Sequence, residues 1–282
     1  MSADSIFSNL TAENTAAEIS LILSADYKRK KTVILLEGED DVKAFRFLVS
    51  RDVTLIKAYG ASTTVDKFMP ENFPDEKRVI GIRDRDYQEK KKFGRIFYCD
   101  HCCCEMMLIS DDETFQRVAV NFYRGRLSPD RLRYELLKKL FYISALRLCS
   151  DRYRWALRIS DTDLNKIVNP RVSPGKNAVV AFVNAYNPKN KVDGARLKKL
   201  ALVRDTGRLE DYLDITNGHD FVEALCIYCA ESSSGNKRRS ISDKALAGAI
   251  RCAYSLRAFE NTRLYAELKL YGEENGLSIV AE

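Results

Sequence analysis

Thr32-Val33-Ile34-Leu35-Leu36-Glu37-Gly38-Glu39-Asp40-Asp41 is the stretch whose reading decides the fold. An apolar run, rich in β-branched residues, stops at an acid and a glycine. A short run of this kind, without polar alternation, reads as a strand buried on both faces, the kind found in parallel sheets. Open α/β sheets place their ligands beyond the carboxyl ends of the strands. Glu37 is therefore expected at the rim of a sheet. Gly38 lets the chain turn sharply, and Asp40 or Asp41 is placed to cap the helix that follows.

A second stretch obeys the same logic. Arg78-Val-Ile-Gly-Ile-Arg83 is a short apolar run, and it ends in Asp84-Arg85-Asp86. In an extended chain, residues two apart point the same way and lie about 6.5 Å apart. Asp84 and Asp86 would then face one cation together. Hard cations such as Mg²⁺ take one or two carboxylates, with water and substrate phosphate completing the shell. The alternative is that these acids cap helices and pair with Arg83 and Arg85.

A hydrophobic strand ending in Glu37-Gly38-x-x-Asp41, followed by a later one ending in Asp84-x-Asp86, resembles the Toprim domain. That domain is shared by topoisomerases, bacterial primases, small ribonucleases and OLD-family nucleases. The likeness spans roughly residues 31–110. It implies that Glu37, Asp84 and Asp86 are catalytic, with Asp84 and Asp86 holding Mg²⁺ or Mn²⁺. It also implies that Glu37 acts as general acid or base, or as a bridging ligand. Asp41 would be an outer or second-metal ligand. The segment Asp100 to Leu108 resembles one in nuclease-like Toprim relatives whose Glu completes the metal shell, which makes Glu105 a candidate ligand. Here cysteines stand where those relatives carry polar residues.

Phosphodiester cleavage needs an activated nucleophile and neutralised phosphoryl oxygens, and a divalent metal supplies both. The chain lacks room for a topoisomerase gate and lacks a primase zinc module. A compact Toprim module followed by a helical half is similar to the nuclease effectors of bacterial anti-phage systems, including the Toprim subunit of PARIS-type systems. That resemblance implies a toxic endonuclease, with RNA and specifically tRNA as the favoured substrate, working with an ABC-type ATPase chain. Two alternatives stay open: a DNA endonuclease of OLD type, and a catalytically inactive module that binds nucleic acid or the ATPase.

The expected fold class is α/β. It consists of a Toprim-like Rossmannoid, mostly parallel sheet within residues 1–110, an N-terminal helix included, and a mainly helical, basic domain over 111–282. The strands fall at 32–36, 53–58, 78–83 and 95–99. The first helix runs from about Asp40 to Val49, and another opens after Tyr59-Gly60-Ala-Ser-Thr-Thr64. Gly60 is either a phosphate-approach turn at a helix N-terminus or a plain turn. Pro70 to Glu76 reads as a loop. Beyond residue 111, apolar residues at helical spacing alternate with basic ones. Tyr153 to Ile159 alternates in a way that fits a short strand. Asp220 is placed to cap a strongly apolar helix, Phe221 to Ala230.

With 282 residues, 45% apolar and 30% charged, the chain has the composition of a globular protein of one large or two ordinary domains. No run approaches the roughly 18 uncharged apolar residues of a membrane helix. The N-terminus has no basic segment followed by an apolar core, so the expected location is the cytoplasm. Net charge is +6, but Arg124 to Arg158 holds ten Lys or Arg against three Asp or Glu, and Lys189 to Arg208 holds seven against two. A basic half beside an acidic rim fits a polyanion. Lys138 and Arg154 are its candidate nucleic-acid contacts, with Arg83, Arg85 and Gly60 at the sheet end. Solvated helix faces are the other reading. The aromatics among the arginines at 153–159 suit either stacked bases or a core edge. Eight cysteines include Cys99-x-x-Cys102 and Cys226-x-x-Cys229, too far apart in sequence for a zinc knuckle, so buried reduced thiols are expected. There is no P-loop, so an ATPase would be another chain. An uncovered sheet edge makes a homodimer possible.

Overall fold

β1 (Thr32–Leu36) is buried along its whole length, as its unbroken apolar run requires. The computed structural model describes residues 12–58, 63–87, 94–160, 162–171, 174–232 and 241–281. The chain divides into two units, residues 1–100 with 254–282, and residues 101–253. The cut lies near residue 100 rather than 110, and the last helices return to the first unit instead of extending the second.

In the first unit, β1 is flanked by β2 (Val53–Lys57) and β3 (Val79–Arg83), and β4 (Ile96–Tyr98) forms the far edge. The order is β2-β1-β3-β4 and every pairing is parallel. Leu36 lies opposite Lys57 on one side and Ile82 on the other. The fold is thus α/β and Rossmannoid, with β1 and β3 central and buried.

Side chains alternate across the sheet. Val33, Leu35, Val79 and Ile96 join Ile19 and Leu23 of α1 (Ala12–Ala25) and Val65, Phe68 and Met69 of α3 (Thr63–Asn72) in one apolar cluster. Phe45 lies at the end of α2 (Glu39–Phe45) and meets Phe259 of α13 (Leu256–Glu260) edge-on at 5.9 Å. Phe97 of β4 meets Tyr271 of α14 (Arg263–Asn275) at 5.5 Å. Asp100 accepts the backbone N–H groups of Arg263 and Leu264, which opens α14. Gly81 explains how α3 approaches β3: a Cβ there would lie 2.7 Å from Val65 Cγ1 and 2.9 Å from Met69 Sδ.

Several expected boundaries move. α2 ends at Phe45, short of Val49. α3 continues through Pro70 to Asn72, where a loop was expected.

The second unit is built on α6 (Pro129–Arg152), whose buried face includes Leu132, Leu136, Leu140 and Ile143. Ser128 caps its start, with Pro129 at the first turn. α4 (Cys104–Ser110), α5 (Asp112–Phe122), α11 (Gly218–Ser232) and α12 (Asp243–Ala253) belong to the same unit. Arg133 is buried and donates to the Ile109 and Ser110 carbonyls at 2.8 and 3.0 Å, closing the C-terminus of α4. α7 (Asn165–Val168), α8 (Lys176–Tyr186), α9 (Gly194–Leu200) and α10 (Leu209–Leu213) complete it.

The strand expected over 153–159 does not form. Arg154 and Ala156 both take left-handed backbone, at φ 53° each, which breaks any pleat. The cap expected from Asp220 comes instead from Asn217, whose Oδ1 accepts the N–H of His219 and of Asp220 at 3.1 and 3.3 Å. Asp220 itself is buried in a two-pronged pair with Arg147, 2.7 Å on each arm. Seven of the eight cysteines are buried, Cys252 is exposed, and none is in a disulfide. No helix among the described residues is long and apolar enough to cross a membrane.

Candidate functional site

The strand order sets the position of the site. β1 connects to β2 on one side, and β3 connects to β4 on the other. The carboxyl ends of β1 and β3 therefore flank the point where the winding reverses, the crevice that open α/β sheets use for ligands. Glu37 follows β1 directly, and Asp84 to Asp86 follow β3.

Arg83, the last residue of β3, turns inward and is 2% exposed. Its guanidinium gathers three acids. Nε is 2.9 Å from Glu37 Oε1, Nη1 is 2.5 Å from Asp66 Oδ2, and Nη2 is 3.5 Å from Asp86 Oδ2. Nε also donates to the Asp84 carbonyl at 3.3 Å. The Tyr98 ring lies 5.7 Å from the guanidinium carbon. Asp66, on α3, is 10% exposed, and neither acidic motif signals it. The signal that could have found it is Arg83 itself, since a cation ending a fully buried strand needs buried counter-charge.

Glu37 is 17% exposed. Its Oε1, although within ion-pair distance of Arg83, is buried and accepts no hydrogen bond. Burial, the largest influence, pushes its carboxyl up to about 7. Arg83 opposes the shift, while Asp86, Asp41 and Asp66 add to it. A carboxyl poised there exchanges protons at neutral pH.

The other expected site residues are placed as follows. Asp41 reaches back to the Gly38 N–H at 2.9 Å and so fixes the turn between β1 and α2. Asp84 and Asp86 do not form the extended pair assumed from sequence. β3 ends at Arg83, and Asp86 takes φ 49°, so the two-residue alternation is lost. Arg83 is not available to a phosphate, because it is buried among the acids. Arg85 is half-buried just beyond the strand. Gly60 lies outside the described residues. Glu105 belongs to the second unit, where its side chain packs against Gly218: a Cβ on that glycine would lie 2.3 Å from Glu105 Oε2. Lys138 is exposed on α6 with its ammonium 5.9 Å from the Tyr134 ring, and Arg154 is exposed just after that helix.

The donor set is chemically right for a hard cation, since every ligand offered is a carboxylate oxygen. No group of three or more His, Cys, Asp or Glu among the described residues is arranged to hold a metal by itself. One or two carboxylates with retained water is how Mg²⁺ is usually bound, and Glu37 and Asp86, which share Arg83, are the carboxylates such a site would draw on.

No protein-family model matches the chain, and no curated protein is similar to it. The fold and this crevice define an α/β protein with a cluster of charged side chains at the switch point of its sheet.

Proposed function

We propose that the chain is a metal-dependent phosphodiesterase of Toprim type, an endonuclease that acts as a toxic effector in anti-phage defence, with RNA and most of all tRNA as substrate. The observation that carries this reading is Glu37. It is a mostly buried carboxyl beside the sheet's switch point, its proton held to near neutrality, with Asp86 drawn toward it by the shared Arg83.

Mg²⁺ or Mn²⁺, when bound, would lower the pKa of water and neutralise phosphate charge. Glu37 takes or returns the proton in flight. Asp84 and Asp86 offer oxygens from the adjacent strand end. Arg83 holds Glu37 and Asp86 toward one another and offsets their mutual repulsion. An ABC-type ATPase chain is the proposed partner, and a homodimer is proposed beside it.

The test is induced expression of the wild type and of Glu37→Ala in bacteria, followed by end-mapping of total tRNA and of DNA. Discrete tRNA fragments with wild type alone support the reading. Broken DNA with intact tRNA moves it to a DNA endonuclease of OLD type. Fragments produced equally by Glu37→Ala sink it.

A second reading, a catalytically silent module that binds nucleic acid or the ATPase, is favoured by one observation: Arg83 already pairs with Glu37 and Asp86, two of the acids a metal would draw on. Calorimetry separates the two, because Mg²⁺ binding lost in Asp86→Ala argues against the silent module.

A further inference from the structure

The positive charge of this chain is concentrated in one segment of the second unit. Residues 152–208 carry thirteen Lys and Arg against four Asp and no Glu, a surplus of nine in a chain whose net charge is +6. The rest of the molecule is therefore slightly acidic. Among the described residues, no carboxylate comes within ion-pair distance of Arg154, Arg158, Lys189, Lys191 or Lys199. No neighbouring carboxylate offsets the charge of these five side chains.

The same segment is built around aromatic rings. Tyr153 and Trp155 stack at 5.7 Å with planes 25° apart. Lys199 lies over Tyr153 at 5.2 Å, and Arg196 lies over Trp155 at 5.5 Å. Trp155 is buried and serves as the anchor. Arg196 also donates to the carbonyls of Asn190 and Lys191 at 2.8 and 3.2 Å, which ties the loop after α8 to this stack.

Between residues 156–158 and 186–190 the structure leaves a cleft of about 280 Å³. Tyr186, 37% exposed, stands on its wall with Arg158 and Lys189. The wall is rigid. Asn187, buried beneath it, accepts the Arg158 N–H at 2.6 Å and donates to the Arg158 and Val183 carbonyls at 3.3 and 2.7 Å. Ala156, which lines the cleft, and Arg154 just before it both take left-handed backbone, the kind of strain found at binding sites. The volume lies just below the roughly 300–1,000 Å³ of small-molecule pockets, room for one base rather than a whole ligand. An accessible ring beside unpaired cations, in a base-sized cleft, is the recognition chemistry of an unstacked nucleotide rather than of a duplex or a bilayer.

We propose that this cleft holds single-stranded nucleic acid, one base stacked on Tyr186 with the flanking phosphates on Arg158 and Lys189. The proposal deepens the nuclease reading by naming where its strand is gripped, yet it stands on different residues and can survive that reading's failure.

The test is fluorescence anisotropy of the full-length chain in EDTA with a labelled 12-residue RNA and its DNA counterpart, at several salt concentrations, each oligonucleotide checked intact on a gel. Tyr186→Ala is expected to weaken binding about tenfold, in line with the loss of one stacked base, and Tyr186→Phe to retain it. Arg158→Ala with Lys189→Ala is expected to flatten the salt dependence by about 1.4 in log–log slope, about 0.7 for each lost phosphate contact on a single strand. Lys28→Ala with Lys30→Ala, an equal charge loss in the first unit, is expected to leave affinity unchanged. Tighter binding of either oligonucleotide supports the site and identifies the strand it prefers. Absent binding, or variants indistinguishable from wild type, overturn it. So does capture by phosphatidylserine vesicles that these variants abolish while oligonucleotide binding persists. A chain that binds as expected yet cleaves nothing with Mg²⁺ restored removes the nuclease reading and leaves this site standing.

Discussion

Arg83 Nε stands 2.9 Å from Glu37 Oε1, and that oxygen still accepts no hydrogen bond. The pair is electrostatic contact without full satisfaction, so desolvation outweighs the nearby cation and the carboxyl is raised to about 7. A raised carboxyl binds its proton more tightly in the folded state than in the unfolded chain. Its contribution to stability is therefore fully present below the ordinary value of 4.5 and is lost as pH climbs through about 7. Glu37→Gln removes that dependence. Urea unfolding from pH 4.5 to 8 should show wild type losing up to about 3 kcal/mol relative to the variant, at about 1.36 kcal/mol per pH unit over the shift. Parallel curves would mean that burial does not govern Glu37.

Asp66 is the acid closest to Arg83, at 2.5 Å, and both are largely withdrawn from water. Removing one partner of such a pair leaves a buried charge uncompensated. Asp66→Ala should cost about 3–5 kcal/mol in chemical denaturation. Replacing both, as Asp66→Leu with Arg83→Met, should recover part of the loss at pH 5.5, where Glu37, raised to about 7, is mostly protonated and needs its cation least. A double variant no more stable than Asp66→Ala would show that Arg83 is held mainly by other groups.

The sheet was legible because its central strands are buried on both faces, so their sequences are unbroken apolar runs that stop where the chain reaches the rim. Glu37 was legible for the same reason. Asp66 was not, because it lies within α3 and owes its role to a strand 17 positions further on. Asp84 and Asp86 were read as an extended pair, and the left-handed Asp86 breaks the geometry on which that reading depends. The return of residues 254–282 to the first unit was equally hidden. Helical spacing at Phe259, Leu264 and Leu268 specifies an apolar face but not its partner. Tyr153 to Ile159 carried a period of two, yet the backbone at Arg154 and Ala156 makes the alternation accidental.

Gly81 sits mid-strand where a side chain would meet α3, within 2.7 Å of Val65 and 2.9 Å of Met69. Gly81→Ala forces α3 away from β3, and overpacking of this kind typically costs about 1–3 kcal/mol. Because Val65 shares α3 with Asp66, the same shift loosens the anchor of Arg83. Thermal melts should show a destabilised Gly81→Ala, with Val65→Ala in the same chain restoring part of the loss. An unchanged melting temperature would mean that the helix yields freely.

Glu105 and Gly218 make the corresponding test in the second unit. A Cβ on Gly218 would lie 2.3 Å from Glu105 Oε2 and 2.7 Å from its Cβ and Cδ, so the start of α11 can pass Glu105 only as glycine. Two residues on, Asp220 is locked to Arg147, and α11 cannot slide to make room. Gly218→Ala should therefore destabilise the protein by about 1–3 kcal/mol. Glu105→Ala removes the carboxylate but leaves the Cβ, so the double variant should recover part of that loss and not all of it. In a double-mutant cycle by chemical denaturation, an interaction energy of at least about 0.5 kcal/mol marks the two residues as coupled. Additive effects would mean that Glu105 swings clear. A packing partner of Gly218 would then be the wrong description, and the carboxylate would be available to other groups.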